Sequence, residues 1–264
     1  ITMEIECSQV GDFDNIFFRN DIMFAVEDFN GGLTTNTTGN SNSSSNGIGG
    51  SMARFTLYDQ YLYVIDDANM HVMDIKTAGG MNEVADVSIG WNIETIFPFE
   101  DNLFIGSTNG MYIYSVENPT NPVQLSVFSH ANACDPVVVE GRTAYVTLRD
   151  GTTCQNFTNQ LDVIDITDLE NPKLIETYDM INPHGLAVRN SKVFLCEGDH
   201  GFKVLDANNP EKVKELSYTP GIQSYDVIAL TEDHLLLIGK DGFYQYDSSN
   251  PKDLVELSHI PVIN

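Results

Sequence analysis

A short strand–turn–strand phrase recurs along this chain, and a repeat of that kind constrains the fold more than any other feature of the sequence. Its clearest copy is LDVIDITDLENPKLIETY, residues 161–178, in which two alternating segments flank a polar Asn-Pro turn. Related copies occupy residues 71–87, 112–128, 203–218 and 244–259. A fixed repeat indicates one supersecondary unit that buries its apolar faces by stacking on its neighbours.

Each copy of the phrase follows an apolar segment of aromatic and β-branched residues. A related segment, DIMFA, occurs at 21–25. The segments centre on Phe24, Tyr63, Phe104, Tyr145, Phe194 and Leu236, at steps of 39, 41, 41, 49 and 42 residues. A period of about 40 residues that holds four strands is typical of a β-propeller blade. The sequence therefore predicts an all-β propeller of four-stranded antiparallel blades, and the number of segments favours six blades.

The first of these six blades is predicted to be irregular. A Gly/Ser/Asn-rich tract at 30–50 follows its apolar segment and leaves no room for two further strands, so we expect a flexible loop there. Blade counts of five and seven stay open for this reason. Because the repeats run through most of the 264 residues, we expect one domain over 1–264.

The phrase LDVIDITDLENP and its echoes resemble the LVIVD-repeat family of bacterial β-propeller proteins. The segments GGSMARFTL (49–57) and WNIETIFPFEDNLFIGSTNGMYIYSVENPTNP (91–122) are similar to its lipoprotein-type members. The resemblance covers roughly residues 49–260. It implies a propeller exported to the outer membrane or surface of a Gram-negative bacterium, with the periplasm or secretion as alternatives. A lipid anchor is implied by this analogy only.

The charge of the chain excludes some classes of partner. It has 13 Lys and Arg against 38 Asp and Glu, a net charge of −25. Nucleic-acid affinity comes largely from basic side chains on phosphates, so nucleic acid is disfavoured, as is an anionic lipid surface. No apolar run approaches the length that crosses a bilayer. The balance suits a protein that meets cations or a basic partner, or simply one that stays dissolved.

Alignment of the repeats places a set of charged residues at the start of the first strand of each blade. The set is Asp14, Glu94, Asp135, His184 and Asp226, with Ala53 in the remaining blade. First strands line the axis of a propeller, so we expect these side chains to converge at the mouth of its central channel. Oxygen ligands of this kind suit Ca²⁺ or Mg²⁺. The alternative is a hydrated acidic funnel that holds no ion.

Aromatic residues and insertions gather on the same predicted face. Trp91 and Tyr225 fall in or beside connections that lead into first strands, and Phe157 lies in an inserted loop, 149–160. Exposed aromatic rings stack on sugars or anchor protein partners. The alternative is that they wedge between blades. Insertions on one face of a rigid scaffold usually mark its binding face.

Two cysteines, Cys134 and Cys154, belong to one blade and to the same predicted face. A disulfide between them would contribute about 3 kcal/mol in the chain-entropy model. It would also indicate an oxidising compartment. The alternative is a pair of free thiols.

These features favour a non-enzymatic binding or scaffold protein. Its decorated face would contact a protein partner, such as an outer-membrane complex, or a glycan. The alternative is a carbohydrate-active hydrolase or lyase that uses the carboxylates of the axial channel as acid and base. Motifs of other enzyme classes, such as a P-loop or a GxSxG elbow, do not occur in the sequence.

Overall fold

The computed structural model of the protein describes residues 49–76, 80–129, 136–150 and 159–262. These residues form five antiparallel sheets of four strands, each built from consecutive strands in chain order. Blade 1 contains β1 (Phe55–Tyr58), β2 (Tyr61–Ile65), β3 (Asn69–Asp74) and β4 (Asn82–Ser88). Blade 2 contains β5 (Ile93–Phe99), β6 (Asn102–Ser107), β7 (Gly110–Ser115) and β8 (Val123–Ser129). Blade 3 contains β9 (Val137–Glu140), β10 (Thr143–Leu148), β11 (Gln160–Asp165) and β12 (Lys173–Asp179). Blade 4 contains β13 (Leu186–Arg189), β14 (Lys192–Cys196), β15 (Phe202–Asp206) and β16 (Lys214–Thr219). Blade 5 contains β17 (Ser224–Ala229), β18 (His234–Gly239), β19 (Gly242–Asp247) and β20 (Val255–Pro261).

The prediction of an all-β propeller is confirmed, but the favoured count of six blades is wrong, because the described residues form five. The prediction of a sixth blade depends on the apolar segment at 21–25, which lies outside the described residues. An apolar run predicts a strand, yet a blade needs four strands that share ladder hydrogen bonds, and a local pattern carries no information about such pairing. The predictions of one domain over 1–264 and of a flexible loop over 30–50 include residues outside the described part of the chain and stay predictions.

The blades pack face to face through four apolar clusters, one between each consecutive pair. The first two clusters join blades 1 and 2 and blades 2 and 3, and the others join blades 3 and 4 and blades 4 and 5. The second strands of the middle blades are buried on both faces, which explains their continuous apolar sequences. In β2 and β18, buried and more accessible residues alternate instead.

Every blade carries a β-bulge between its third and fourth strands. The register shifts once in each of these pairs, for example between Val72 and Met73 in blade 1. A bulge inserts one residue into one strand and re-aims its neighbours. The turns between these strands hold the Asn-Pro pairs in blades 2 to 5, where proline removes no ladder donor. In blade 4 this turn is a 3₁₀ segment, Pro210–Lys212.

The first strands of consecutive blades lie next to one another along a central channel, and the segment 49–53 lies in it against the first strands of blades 2, 4 and 5. Gly49 contributes to a cavity at one end of the channel and Met52 to a cavity at the other. Between them Ser51 is buried, and its hydroxyl accepts a hydrogen bond from the Leu186 amide at 2.8 Å. Within the described ranges, no helix has the length and apolar character needed to span a bilayer.

Candidate ligand-binding site at the channel mouth

A cavity of about 300 Å³ opens at the end of the channel where the first strands begin. It is lined by residues from blades 1 to 4: Met52, Arg54, Glu94, Thr95, Pro136, Arg149 and His184. Glu94 and His184, two of the residues predicted to meet at the channel mouth, therefore share one cavity. Two guanidinium groups that the predicted set does not include, those of Arg54 and Arg149, lie beside them.

Asp226, also predicted for this set, is displaced from it by one position. In blade 5 the paired residues Ile228 and Leu236 are eight residues apart, whereas the equivalent pair in blade 2, Phe97 and Phe104, is seven apart. The extra residue lies in the turn between the two strands. Counting a constant ten residues back from the centre of the second strand therefore selects Asp226 in blade 5. Strand pairing instead makes Tyr225 the equivalent of Glu94.

Tyr225 occupies the position in blade 5 that is equivalent to Glu94 in blade 2, and it lies beside His184. The centroids of the two rings are 6.1 Å apart, and the Tyr225 side chain is partly accessible to solvent. The carbonyl of Tyr225 also accepts a hydrogen bond from the Gly185 amide at 2.9 Å. The mouth therefore offers an aromatic ring next to an imidazole at a position where the sequence predicts a carboxylate.

Asp226 instead points inward, under the segment that runs through the channel. Its Oδ1 accepts hydrogen bonds from the Ser51 hydroxyl at 3.0 Å and from the Val227 amide at 2.9 Å. Gly50 and Gly185 lie so close that a Cβ at either position would come within about 2 Å of its carboxylate oxygens. Burial raises the pKa of Asp226, although these hydrogen bonds oppose the shift.

Both ring nitrogens of His184 are engaged. Nδ1 donates to the Asn182 carbonyl at 2.9 Å, so Nε2 carries the lone pair that faces Arg149 Nη1 at 3.0 Å. Burial lowers the pKa of His184, and the positive charge of Arg149 lowers it further. The imidazole is therefore held neutral and fixed in orientation, in contact with a cation.

Glu197 positions the connection that carries His184. Its side chain is fully buried, and Oε2 accepts hydrogen bonds from the amides of Ile181 at 3.1 Å and Asn182 at 2.6 Å. Glu197 does not belong to the column of residues predicted for the channel mouth. The available signal is a carboxylate directly after the apolar strand KVFLC, because the side chain that follows a strand buried on both faces stays in the interior.

Arg54 is held at the mouth by blades 1 and 2 together. Its Nη2 donates to Asp67 Oδ1 at 3.0 Å and to the Ile93 carbonyl at 3.2 Å. Arginine is scarce here, with five residues in a chain of net charge −25. Of those five, Arg54 and Arg149 line this one cavity. The scarcity of arginine was the signal that could have identified them.

The predicted aromatic face is described in part. Trp91 lies in the connection between β4 and β5, on the side of the molecule where first strands begin, and it is 80% exposed. The alternative for Trp91, that its ring packs between two blades, is therefore wrong. Several predicted residues lie outside the described part of the chain, so their roles stay predictions: Asp14, Asp135, Phe157, Cys134 and Cys154.

A second cavity, of about 260 Å³, lies at the opposite end of the channel. It is lined mainly by apolar residues of the first strands of blades 2 to 5, together with Gly49, Glu140 and Arg189. The Glu140 carboxylate accepts hydrogen bonds from the amides of Asn190 and Ser191, both at 2.7 Å, and so fixes a neighbouring turn. The two ends of the channel thus differ in polarity.

Comparisons with known proteins support the fold. The chain matches no protein-family model and no curated protein. Among solved structures it is similar to a periplasmic gluconolactonase of Pseudomonas aeruginosa, with 12% identity, a TM-score of 0.60, and coverage of 77% of this chain and 68% of that one.

Two further solved structures are equally similar. One is a protein of unknown function from Desulfotomaculum acetoxidans, with 10% identity, a TM-score of 0.62, and coverage of 78% and 67% of the two chains. The other is a protein from Lactobacillus plantarum, with 14% identity, a TM-score of 0.62, and coverage of 77% and 69%. At such identities the likeness shows the fold, and the chain is a β-propeller.

Proposed function

We propose that this propeller is a non-enzymatic binding protein whose channel mouth receives an acidic group of a glycan. The observation that carries the proposal is the pair of guanidiniums, Arg54 and Arg149, on one cavity of a strongly acidic chain. Arginine presents planar, paired donors that match a carboxylate. A protein partner that presents an acidic side chain is the other ligand that this chemistry admits.

Aromatic rings on the same face support a sugar ligand. Trp91 is exposed in the connection that leads to β5, and Tyr225 lies next to His184. Such rings stack on the apolar faces of sugars. A uronic acid offers both a ring to stack and a carboxylate to pair with Arg149. The Ca²⁺ or Mg²⁺ predicted for this mouth stays a prediction, and the two guanidiniums would oppose a cation there by Coulomb repulsion.

The proposed setting is outside the cytoplasm, at the outer membrane or cell surface. Its support is the resemblance of residues 49–260 to the LVIVD-repeat family, which implies that location and an anchoring lipid. The propeller of the P. aeruginosa protein is periplasmic by its description. In the same proposal, the predicted Cys134–Cys154 disulfide would form there.

A carbohydrate-active hydrolase is the second candidate. Its support is that Glu94 and His184 line the same cavity, where a carboxylate and an imidazole could exchange protons with a sugar. The engagement of both His184 nitrogens argues for a positioning role instead. Incubation with a polyuronide and measurement of new reducing ends distinguishes the hydrolase from the binding protein. A hydrolase would produce new reducing ends and lose this turnover in Glu94→Gln, whereas a binding protein would produce none.

Binding to an oligogalacturonide and to its fully methyl-esterified form tests the proposal. The two ligands share the sugar chain and differ in charge. Since Trp91 is the one Trp of the chain, its fluorescence reports binding on the face where the first strands begin. We expect the acid form to bind at least about tenfold more tightly than the ester, because each ion-paired hydrogen bond contributes about 1.5–3 kcal/mol.

Matched variants locate the contact. Arg149→Gln should weaken binding of the acid form and leave binding of the ester unchanged. Arg142→Gln is the control, since Arg142 lies in the turn between β9 and β10, at the opposite end of the strands. Equal affinity for acid and ester, or equal losses in the two variants, would refute an anion site at this mouth. Binding to an acidic peptide but to neither sugar would favour the protein partner.

A further inference from the structure

A histidine and two carboxylates meet on the outer half of blade 1, away from the channel cavity. His71 lies on β3, and Glu83 and Asp86 lie on β4. His71 Nδ1 is 2.9 Å from Glu83 Oε1 and 3.9 Å from Asp86 Oδ1. One ligand atom from each of the three side chains lies within 4.8 Å of the others.

The β-bulge of blade 1 brings these side chains to one side of the sheet. Asp86 pairs directly with His71, and Glu83 pairs with Met73 after the register shift. In a regular strand, residues three apart point to opposite faces. The extra residue at the bulge reverses that alternation, so that Glu83 and Asp86 both reach the same imidazole.

Repeat symmetry explains the bulge but not these residues. The positions equivalent to His71, Glu83 and Asp86 in blades 2 to 5 hold Tyr112, Gln124 and Val127; Asp162, Leu174 and Thr177; Lys203, Glu215 and Tyr218; and Tyr244, Glu256 and His259. Within these five blades, the combination of one imidazole and two carboxylates belongs to blade 1. It is therefore a local specialisation of a shared scaffold.

The second nitrogen of His71 is held by a fixed carboxylate. Nε2 lies 3.3 Å from Asp66 Oδ2, and the other oxygen of Asp66 accepts hydrogen bonds from the amides of Ala68 and Asn69, both at 2.7 Å. A metal ion would displace the Nδ1 proton that bonds to Glu83, while Nε2 keeps donating to Asp66, and the freed lone pair of Nδ1 would face Glu83 and Asp86. Metal-binding histidines almost always donate their other ring N–H to such a group, which fixes the tautomer and the ring.

We propose that His71 Nδ1, Glu83 and Asp86 form a binding site for a divalent transition metal, with Zn²⁺ as the best fit. Zn²⁺ binds His nitrogen and carboxylate oxygen at about 2.0–2.2 Å, so that two ligands of one ion are at most about 4.4 Å apart. Both distances from Nδ1 satisfy that limit. The imidazole selects against Ca²⁺ and Mg²⁺, which take oxygen ligands.

The charge of the three ligands also favours a cation. None of the ion pairs seen among the described residues joins Glu83 or Asp86 to a Lys or Arg. A metal here would join β3, β4 and the turn at 66–68. The next residue of that turn, Asp67, holds Arg54 at the channel mouth. The site would thus brace the loop beside the binding cavity.

Isothermal titration of chelator-treated full-length protein with Zn²⁺ tests the site. We expect one saturable site that disappears in His71→Ala and in the near-isosteric Glu83→Gln/Asp86→Asn double variant. Asp66→Asn should keep the site and weaken it about 10- to 100-fold. His259→Ala is the matched control, because it removes another exposed histidine, whose ring stacks on Tyr244, and its Zn²⁺ affinity should equal that of the wild type.

The difference between wild type and His71→Ala decides the outcome, whatever Zn²⁺ binds elsewhere. Zinc-edge X-ray absorption should fit one nitrogen and two carboxylate ligands at this site in the wild type. Circular dichroism confirms that the variants are folded. Equal Zn²⁺ stoichiometry and affinity in wild type and His71→Ala would mean that the three side chains are hydrogen-bonded to one another only. Tighter binding of Ca²⁺ than of Zn²⁺ would exclude the imidazole as a ligand.

Discussion

Lys203 Nζ lies 2.6 Å from Glu197 Oε1 in blade 4, and both side chains are buried. The other oxygen of Glu197 accepts hydrogen bonds from the amides of Ile181 and Asn182. One carboxylate thus neutralises a buried ammonium and shapes the connection that leads to His184. Removing a partner from a buried pair leaves an uncompensated charge, which is why such pairs are costly to break.

Glu197→Ala should therefore destabilise the protein by about 3–5 kcal/mol. It leaves the Lys203 ammonium unpaired and two backbone amides without their acceptor. Urea unfolding followed by circular dichroism measures the loss. The Glu197→Leu/Lys203→Met double variant should recover part of it, since no buried charge remains, but Ile181 and Asn182 still lack a partner. A single-variant loss below about 1 kcal/mol would contradict the role given to Glu197.

The sequence predicts the blades because each blade is a contiguous piece of chain with its own apolar and turn signals. All five apolar segments lie within second strands: 61–65, 102–106, 143–147, 192–196 and 234–238. Their continuous or alternating apolar character follows from burial between sheets. The number of blades does not follow from the same signal, since an apolar segment predicts a strand but carries no information about the three partners that a blade also needs.

The site is harder to predict than the fold, because it depends on single-residue register. Asp226 and Tyr225 exchange roles when one turn lengthens by one residue, and a one-residue slip sends a side chain to the other face of a strand. Glu197 and Arg149 lie just beyond the ends of second strands, where the connections differ between blades and the repeats cannot be aligned. Their importance comes from contacts with His184 and its connection, which only the tertiary structure brings together.

The titration of His184 tests the electrostatics of the channel mouth. Its pKa is lowered by burial first and by Arg149 as well, so in metal-free protein it should titrate below 6.5. Arg149→Met removes the repelling charge and should move the His184 pKa upward. Ring resonances in heteronuclear NMR spectra measure both values. His71 is an internal control, because its hydrogen bond to Glu83 raises its pKa above 6.5.

The same shift predicts a pH dependence of stability. Because the folded-state pKa of His184 lies below the unfolded value, the unfolded chain binds more protons between the two values. The contribution of His184 is complete above pH 6.5 and is lost as the pH falls from 6.5 to the folded-state pKa. The loss should be smaller in Arg149→Met. An identical pH profile in the two proteins would show that Arg149 does not act on His184.

Asp226 should oppose stability at neutral pH. Burial raises its pKa above 3.8, so the folded state holds a proton more firmly than the unfolded chain in the window just above that value. Stability from this group therefore falls as the pH rises through the window. Asp226→Asn, which mimics the protonated form, should stabilise the protein at pH 7 and have little effect below pH 3.8.

Urea unfolding at pH 7 and at a pH below 3.8 measures the effect of Asp226→Asn on the free energy of unfolding. Asp253→Asn, at an exposed carboxylate of blade 5, is the control and should stay within about 0.5 kcal/mol of the wild type at both. A loss of stability in Asp226→Asn at pH 7 would show that the charge-assisted hydrogen bonds from Ser51 and Val227 outweigh the cost of burial.

Close packing around Asp226 requires glycine at position 185. A Cβ there would lie 2.1 Å from Asp226 Oδ1 and 2.8 Å from its Cα, and the backbone atom has no rotamer by which to move away. Gly185→Ala should destabilise the protein by about 1–3 kcal/mol through overpacking. Gly80→Ala is the matched control, since a Cβ there meets no atom within 4 Å.

Truncating the carboxylate as well, in Gly185→Ala/Asp226→Ala, should not restore the lost stability, because the backbone of residue 226 still obstructs the added methyl group. Recovery of thermal stability in the double variant would instead identify the side chain as the obstacle and would show that the two first strands can separate at this point.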